Sequence, residues 1–381
     1  MSGALKRDEW ETVWLGDVAT YVSDRIDASL LDTHNYVSVE NLLADRRGIK
    51  DSENVPQTGR FIQYVSGDVL IGNIRPYLKK IWLAIHEGGT NGDVLVIRPN
   101  NSKNLSSEYL YHSLASDVFF NYAMQNAKGA KMPRGDKKLI MKYSFPLPPI
   151  DIQHRIADTL DKVTELIDLR KTQLEKLDEL VKARFVELFS DCKNIVAMND
   201  LCSIITDGTH QPPKFQSDGI PFIFVSNLAN NTVTYNAEKF ISEETYNDLI
   251  KRTPIEIGDI LLTTVGSYGH PAVVVEERKF LFQRHIAYLK LKHDLVNSFY
   301  LHSALLAPDG QRQIEEKVKG IAQKTLNLSE IRKIMIPIPS IEEQNAFELF
   351  IKQTDKSKVI IQQSLDTLET LKKSLMQEYF G

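Results

Sequence analysis

The chain is poor in the residues that would make it a disulfide-stapled, zinc-bound or membrane-spanning protein. Of 381 residues only Cys192 and Cys202 are cysteines. Two cysteines cannot build a disulfide framework, and no C-x-x-C or Cys/His cluster suggests zinc, so both are expected to be structural thiols. No stretch approaches the roughly 20 uninterrupted apolar residues of a membrane span. The opening MSGALKRDEWETVW lacks the apolar core of a signal peptide, and a cytoplasmic protein is expected. An excess of positive charge is missing too: the formal net charge is -4. A solitary protein that holds DNA by its phosphates is usually basic. This composition therefore requires local basic patches, partners that bring positive charge, or another function.

Catalytic signatures are also scarce. TVGSYGHP (264–271) is glycine-rich but lacks the GK[ST] ending that places a lysine on phosphates, and GNIRPY (72–77) fails in the same way. An amino-methyltransferase would carry a [DN]PP[YF]-like strip, yet QPPK (211–214) and LPPI (147–150) have the wrong flanking residues. Pro308-Asp309 with Glu315 and Lys317 could open a nuclease site. The same run reads better as a helix start, with Asp309 near the N-terminus and Lys317 on a solvated face. His285 and His293 belong to no HExxH or close His/Asp/Glu set. No catalytic residue, cofactor or metal is expected.

What the chain does have is a duplication. SGDVLIGNIRPY (66–77) aligns with IGDILLTTVGSY (257–268), pairing Gly67 with Gly258, Asp68 with Asp259 and Tyr77 with Tyr268. FPLPPIDIQ (145–153) aligns with IPIPSIEEQ (336–344), and Gly129, Gln153 and the run ELF (187–189) match Gly320, Gln344 and EYF (378–380). The offset is 191 residues at all of these, and EYLYHSL (108–114) resembles SFYLHSA (298–304) one residue out of step. Internal repeats decide architecture. Each half begins with short β-type runs such as DVLIG and DVLVIRP, or DILLTTV and IAYLKL, punctuated by turn residues. Helical stretches follow at 106–126 and 297–319, and then a proline strip (146–149; 337–339) that ends the ladder and marks a boundary.

Beyond the strip each half ends in about 40 residues without Pro or Gly until Gly381. The first carries a 3-4 apolar seam through Ile156, Leu160, Val163, Ile167, Arg170, Leu174, Leu177, Val181, Arg184 and Leu188. The second runs through Phe347, Ile351, Thr354, Lys358, Ile361, Leu365, Leu368, Lys372, Leu375 and Tyr379, with Lys358 and Lys372 interrupting it. Such helices run about 60 Å at roughly 1.5 Å per residue, and the seam must pack, on a partner helix or on its own domain. The expected fold is α+β: mixed α/β domains at 1–149 and 191–340, and long helices at 150–190 and 341–381 pairing antiparallel as a coiled-coil spacer, the whole a pseudo-two-fold duplication.

Two features of each half suit DNA. One is the basic segment KGAKMPRGDKKLIMK (128–142), carrying Lys128, Lys131, Arg134, Lys137, Lys138 and Lys142 against Asp136, with Lys319, Lys324, Arg332 and Lys333 in its partner (319–333). A solvated loop would have the same composition. The other is a pair of turns. The first (72–80) presents Asn73, Arg75, Tyr77, Lys79 and Lys80, and the second (263–270) presents Thr264, Ser267, Tyr268 and His270. Arg, Lys, Asn, Ser and Thr are the side chains that pair with base edges. A further loop (206–214) offers Thr209, His210, Gln211 and Lys214, and its counterpart (22–29) supplies Arg25. These loops differ between the halves while the framework agrees. Two readers of different sequences would show that contrast, and so would drift of surface loops.

The order of these motifs resembles the specificity (S) subunit of type I restriction-modification enzymes over essentially the whole chain. The resemblance is carried by TDGTHQPP (206–213), the G-D-[VI]-L strip with NIRPYLKKIW (73–82), KGIAQKTLNLSEIRKIMIPIPS (319–340), LPPIDIQHRIADTLD and IPSIEEQ. It implies two target-recognition domains on an antiparallel coiled coil, each reading half of a bipartite double-stranded DNA target, with no chemistry in this chain. It further implies two methyltransferase (M) subunits on the helical regions, which methylate adenine with S-adenosylmethionine, and restriction (R) subunits that translocate and cleave. A modification-only system without R subunits would use the same chain. From a different class, a coiled-coil scaffold that binds proteins is the alternative.

Overall fold

The computed structural model describes residues 7–320 and 323–381; the first six residues, part of the stretch read for a signal peptide, and Ile321 and Ala322 of the second basic segment lie outside them. Two compact units form: the chain up to Arg170 together with Ser364–Gly381, and Lys171–Gln363. No helix among the described residues is long and apolar enough to cross a membrane.

The central sheet of the first unit is antiparallel, in the order Ala19–Tyr21, Val94–Pro99, Val69–Gly72, Ile81–Leu83. Val69, Ile71, Leu95 and Ile97 face a core shared with helices Ser107–Leu114 and Asp117–Gln125 and with the start of the long helix Ile150–Phe189. Leu70, Val94 and Val96 face the other way, onto Val37 and Tyr64 of a second sheet. Burial on both faces is why these strands read as continuous apolar runs rather than as alternation. The second unit repeats the plan. Its sheet runs Cys202–Asp207, Ile286–Leu291, Ile260–Thr263, Pro271–Val273. Ile260 and Leu262 lie on the helix side, and Leu261 and Tyr288 on the other.

The expected helical stretch is two helices in each unit. Ser106 and Ser116 cap Ser107–Leu114 and Asp117–Gln125, accepting from Tyr109 and Phe119 N–H groups. In the second unit Asn297 caps Ser298–Leu306, and Pro308 at the first turn of Pro308–Lys317 forces the break. Asp309 is bonded to Arg312 and Gln313 within that helix, as a helix start requires. The long helices begin after the proline strip, at Ile150 and Ile341, but Pro146 and Pro337 lie inside short strands, Ser144–Leu147 paired with Glu11–Trp14 and Met335–Pro337 paired with Ile195–Ala197. Each ribbon has only two strands, so every strand has a free edge that a proline can face.

The framework residues that repeat in sequence make the same bonds twice. Gln153 is fully buried; its Oε1 accepts from the Ser106 N–H at 2.9 Å, and its Nε2 donates to the Asn104 and Pro148 carbonyls at 2.8 Å. Gln344 accepts from the Asn297 N–H at 2.9 Å and donates to the Leu295 and Pro339 carbonyls at 3.2 and 3.0 Å. The Tyr109 and Tyr300 hydroxyls donate to the Pro146 and Pro337 carbonyls. Asp68 and Asp259, buried, accept from the Val65 and Glu256 N–H groups at 2.8 Å. The glycine before each, Gly67 and Gly258, has φ of 92° and 93°, a turn that side chains disfavour. The G-D-[VI]-L strip is therefore a strand-opening turn.

The long helices, Ile150–Phe189 and Ile341–Phe380, divide between the units. In the first unit the Phe380 ring lies 5.3 Å from that of Tyr109, and Arg170 Nε donates to Ser364 Oγ at 3.2 Å. In the second unit Phe189 lies 5.0 Å from Tyr300, and Lys358 reaches Asp178 at 2.6 Å. Lys358 thus occupies the seam by ion pairing. The end of the first seam departs from expectation. Phe185 and Phe189 are buried, whereas Leu188 is 46% exposed. A 3.6-residue helix drifts about 20° per heptad against a 3.5 repeat, and by the last turn the packed face has moved by one position. Cys202 is buried as expected, but Cys192 is only half-buried, because it lies past the helix end, in the loop before the strand Ile195–Ala197.

Candidate nucleic-acid interface

The turn and the basic segment of each unit are one structure. In the first unit the Arg75 N–H donates to the Pro133 carbonyl at 2.7 Å and the Gly135 N–H to the Asn73 carbonyl at 3.1 Å. Lys128 and Arg134 close the segment by reciprocal backbone bonds of 2.9 and 2.8 Å, and the Asn73 N–H reaches the Asp93 carbonyl at 2.9 Å. In the second unit the Gly266 N–H donates to the Lys324 carbonyl at 3.3 Å and the Leu326 N–H to the Thr264 carbonyl at 2.8 Å. Lys319 and Thr325 exchange bonds of 2.9 and 2.8 Å, and the Thr264 N–H reaches the His285 carbonyl at 2.9 Å. The bridge of Ile74 to Arg134 thus recurs, at the same offset, as Val265 to Thr325. A third loop leans on each turn. Asp45 and Arg46 donate from their backbones to the Leu78 and Lys79 carbonyls at 2.9 and 3.0 Å, and Asn231 Oδ1 meets His270 Nδ1 at 3.0 Å.

On this common backbone the side chains diverge. Arg75 has φ of 52° and Lys79 of 50°, flanking a 3-10 turn at Pro76–Leu78. At the position equivalent to Arg75 the second unit has Gly266, with φ of 76°. A left-handed non-glycine residue costs on the order of 1 kcal/mol, so the first unit carries an arginine where the backbone favours glycine. Arg75 and Ser267 are exposed, and Tyr77 is half-exposed. Lys79 pairs with Asp117 at 2.7 Å and holds that carboxyl below its usual range. Lys80 donates to the Val39 carbonyl at 2.5 Å, and burial lowers its pKa.

Asn73 and Thr264 do not present themselves as expected. Both are buried, Asn73 with its Oδ1 lacking a hydrogen-bond partner among the described residues and lying over Gly135, because the backbone bonds that tie turn to segment fold these two residues inward. In the basic segment Lys128 pairs with Asp136 at 2.7 Å and Arg134 with Asp93 at 3.1 Å, while Lys131 is exposed at the tip. In the second unit Lys324 lies over the Tyr268 ring and bonds Glu315 at 2.8 Å, which raises its pKa and lowers that of Glu315. His270 is half-buried.

The loop at 206–214 joins the second surface. Thr209 pairs with Gln283, and Asp207, bonded to His210 at 2.9 Å and Arg252 at 2.7 Å, lines a cleft of about 290 Å³ with Thr264, Arg284, His285 and Thr325. Lys214 is exposed. Arg25, on the strand Arg25–Asp27, is exposed but outside the hydrogen-bonded set of turn and segment. Asp93, Arg284 and His285 were not anticipated from sequence as part of these surfaces. Burial and the adjacent Arg284 push the His285 imidazole below its usual value. The basic pair Arg284-His285 was the available signal. No group of three His, Cys, Asp or Glu among the described residues could hold a metal.

The family model of the type I restriction modification DNA specificity domain matches this chain twice, over residues 7–179 and 192–370. The chain belongs to that family. The MjaVIII specificity subunit of Methanocaldococcus jannaschii is 23% identical, over 99% of this chain and 93% of its own length. The EcoBI specificity subunit of Escherichia coli is 24% identical, over 82% of this chain and 73% of its own. A chain solved in work on complex assembly and conformational transition of the type I R-M system superposes with a TM-score of 0.62 at 20% identity, covering 97% of both chains. The S subunit from M. genitalium gives 0.56 at 13% identity, covering 100% of this chain and 97% of its own. The specificity subunits of these systems are non-catalytic, and catalysis lies in other subunits.

Proposed function

We propose that this chain is the sequence-reading subunit of a cytoplasmic type I restriction-modification complex, each unit reading one half of a bipartite DNA target. The observation that carries this is the contrast between the two surfaces: turn, segment and strand end are bonded alike in both, while the side chains on them differ. The reading domains end at residues 149 and 340, and the long helices form an antiparallel coiled coil between them. Support comes from the exchange of helix ends, Phe380 onto Tyr109 in one unit and Phe189 onto Tyr300 in the other.

Two methyltransferase subunits, and restriction subunits where the system has them, assemble on the helices. Leu166, Leu169 and Leu180 on the first and Leu349, Val359 and Ile360 on the second are 41–67% exposed, apolar side chains that such partners would cover. Those partners also supply the positive charge that a chain of net charge -4 lacks. Arg75, exposed in a strained turn, and His270 are the side chains that test the assignment of half-sites. With the methyltransferase partner present, Arg75→Ala alters the methylated motif in one half only and His270→Ala in the other. Equal loss in both halves would show that the turns are not the readers.

A further inference from the structure

Interactions that hold the fold together occur in both units: Gln153 and Gln344, Tyr109 and Tyr300, Asp68 and Asp259. The ion pair of Arg134 with Asp93 on the first surface, like that of Lys79 with Asp117, has no counterpart among the described residues of the second. Arg134 Nη1 lies 3.1 Å from Asp93 Oδ1, with side-chain exposures of 54% and 37%. At the positions held by the equivalent backbone bonds the second unit carries Thr325 and His285. The pair is therefore no part of the shared scaffold.

A carboxylate on a surface that approaches phosphates is a liability, because it repels the polyanion. It has two uses there: accepting from cytosine N4, or aiming a guanidinium. The geometry favours the second. Both backbone groups of Arg134 are taken by Lys128, and its neighbours Pro133 and Gly135 are bonded to Arg75 and Asn73, which fixes where its side chain starts. With the carboxylate at Nη1, the guanidinium is held in one orientation with further N–H donors to offer.

We propose that Asp93 and Arg134 act as a unit that sets base specificity in the first reader, Arg134 forking onto a guanine edge and Asp93 positioning it; this rests on the two-reader function above. Arginine to guanine O6 and N7 is the commonest specific contact in the major groove. The sign of one substitution separates this role from plain phosphate binding. If Arg134 only neutralised phosphate, Asp93 would only weaken it, and Asp93→Asn would strengthen action on all sequences alike.

The test uses the full chain reconstituted with its methyltransferase partner, genomic DNA as probe, and sequencing of the methylated sites. The half-site of the first unit is the one that Arg75→Ala alters. Asp93→Asn and Arg134→Lys are expected to lower discrimination at the same single G·C pair in that half by about tenfold to a hundredfold. The other half stays unchanged, which reports that the variants are folded, and Asp93→Glu restores part of the discrimination. An unchanged motif with uniformly faster methylation in Asp93→Asn overturns the proposal, as does loss of methylation at every site in that isosteric variant. A wild-type motif forming one uninterrupted block fails the two-reader function instead, so the two failures are distinct.

Discussion

Replacing Gln153 by leucine removes the joint between the long helix and the sheet-and-helix core of the first unit. Three backbone groups lose their partner at once: the Ser106 N–H and the Asn104 and Pro148 carbonyls. The site is fully buried, so water does not replace the bonds. Each orphaned buried group costs about 1–3 kcal/mol. Added apolar burial by leucine offsets part of that, leaving a net loss of roughly 3–5 kcal/mol. The assay is native-state hydrogen exchange of the peptide spanning 104–114. Opening made easier by about 3 kcal/mol speeds exchange by roughly a hundredfold. The same peptide in the second unit, 295–306, should be unchanged, and Gln344→Leu should reverse the pattern. Gln153→Glu keeps the shape but buries a carboxylate beside two carbonyls. Its folded pKa then lies above the ordinary value of about 4.3. Its stability is therefore full below that value and is lost as pH rises through the folded pKa. Acceleration of less than about fivefold in Gln153→Leu, or equal acceleration in both peptides, would refute the joint.

Two further predictions concern surface chemistry. Lys131→Ala, at the exposed tip of the first basic segment, should weaken binding to all DNA sequences alike and reduce the slope of log affinity against log salt by about one unit; a change in the motif instead would make Lys131 a base reader. Burial pushes the Cys202 thiol up to about 12, so an alkylating reagent at pH 8 should label half-buried Cys192 and leave Cys202 unmodified until the protein unfolds; prompt labelling of both would contradict the packing of the strand Cys202–Asp207.

Much of the framework was legible because it is periodic or repeated. The apolar runs Val69–Gly72 and Ile260–Thr263 are strands because both faces of their sheet are covered, and the helices without Pro or Gly declare themselves by spacing. The second sheets were not legible. Their strands, such as Tyr36–Val37 and Phe240–Ile241, are too short to show alternation and owe their form to neighbours. The end of the first seam was misplaced by one residue because helical drift accumulates out of sight of a heptad count. At the candidate interface, sequence singled out the turn and the segment but could not show that they bond to each other. Asn73 belongs to a residue type that reads bases, yet its backbone bonds turn it inward. Asp93 and His285 carry no periodic signal at all, and only the backbone pairing reveals that they occupy one position.

The central claim is that two units of one chain read two separated pieces of DNA. Footprinting of the complex of this chain with its methyltransferase partner on DNA containing the methylated motif tests it most directly. The account predicts two protected clusters with an unprotected gap between them, Arg75→Ala erasing contacts in one cluster and His270→Ala in the other. A single contiguous footprint, or none, would contradict it.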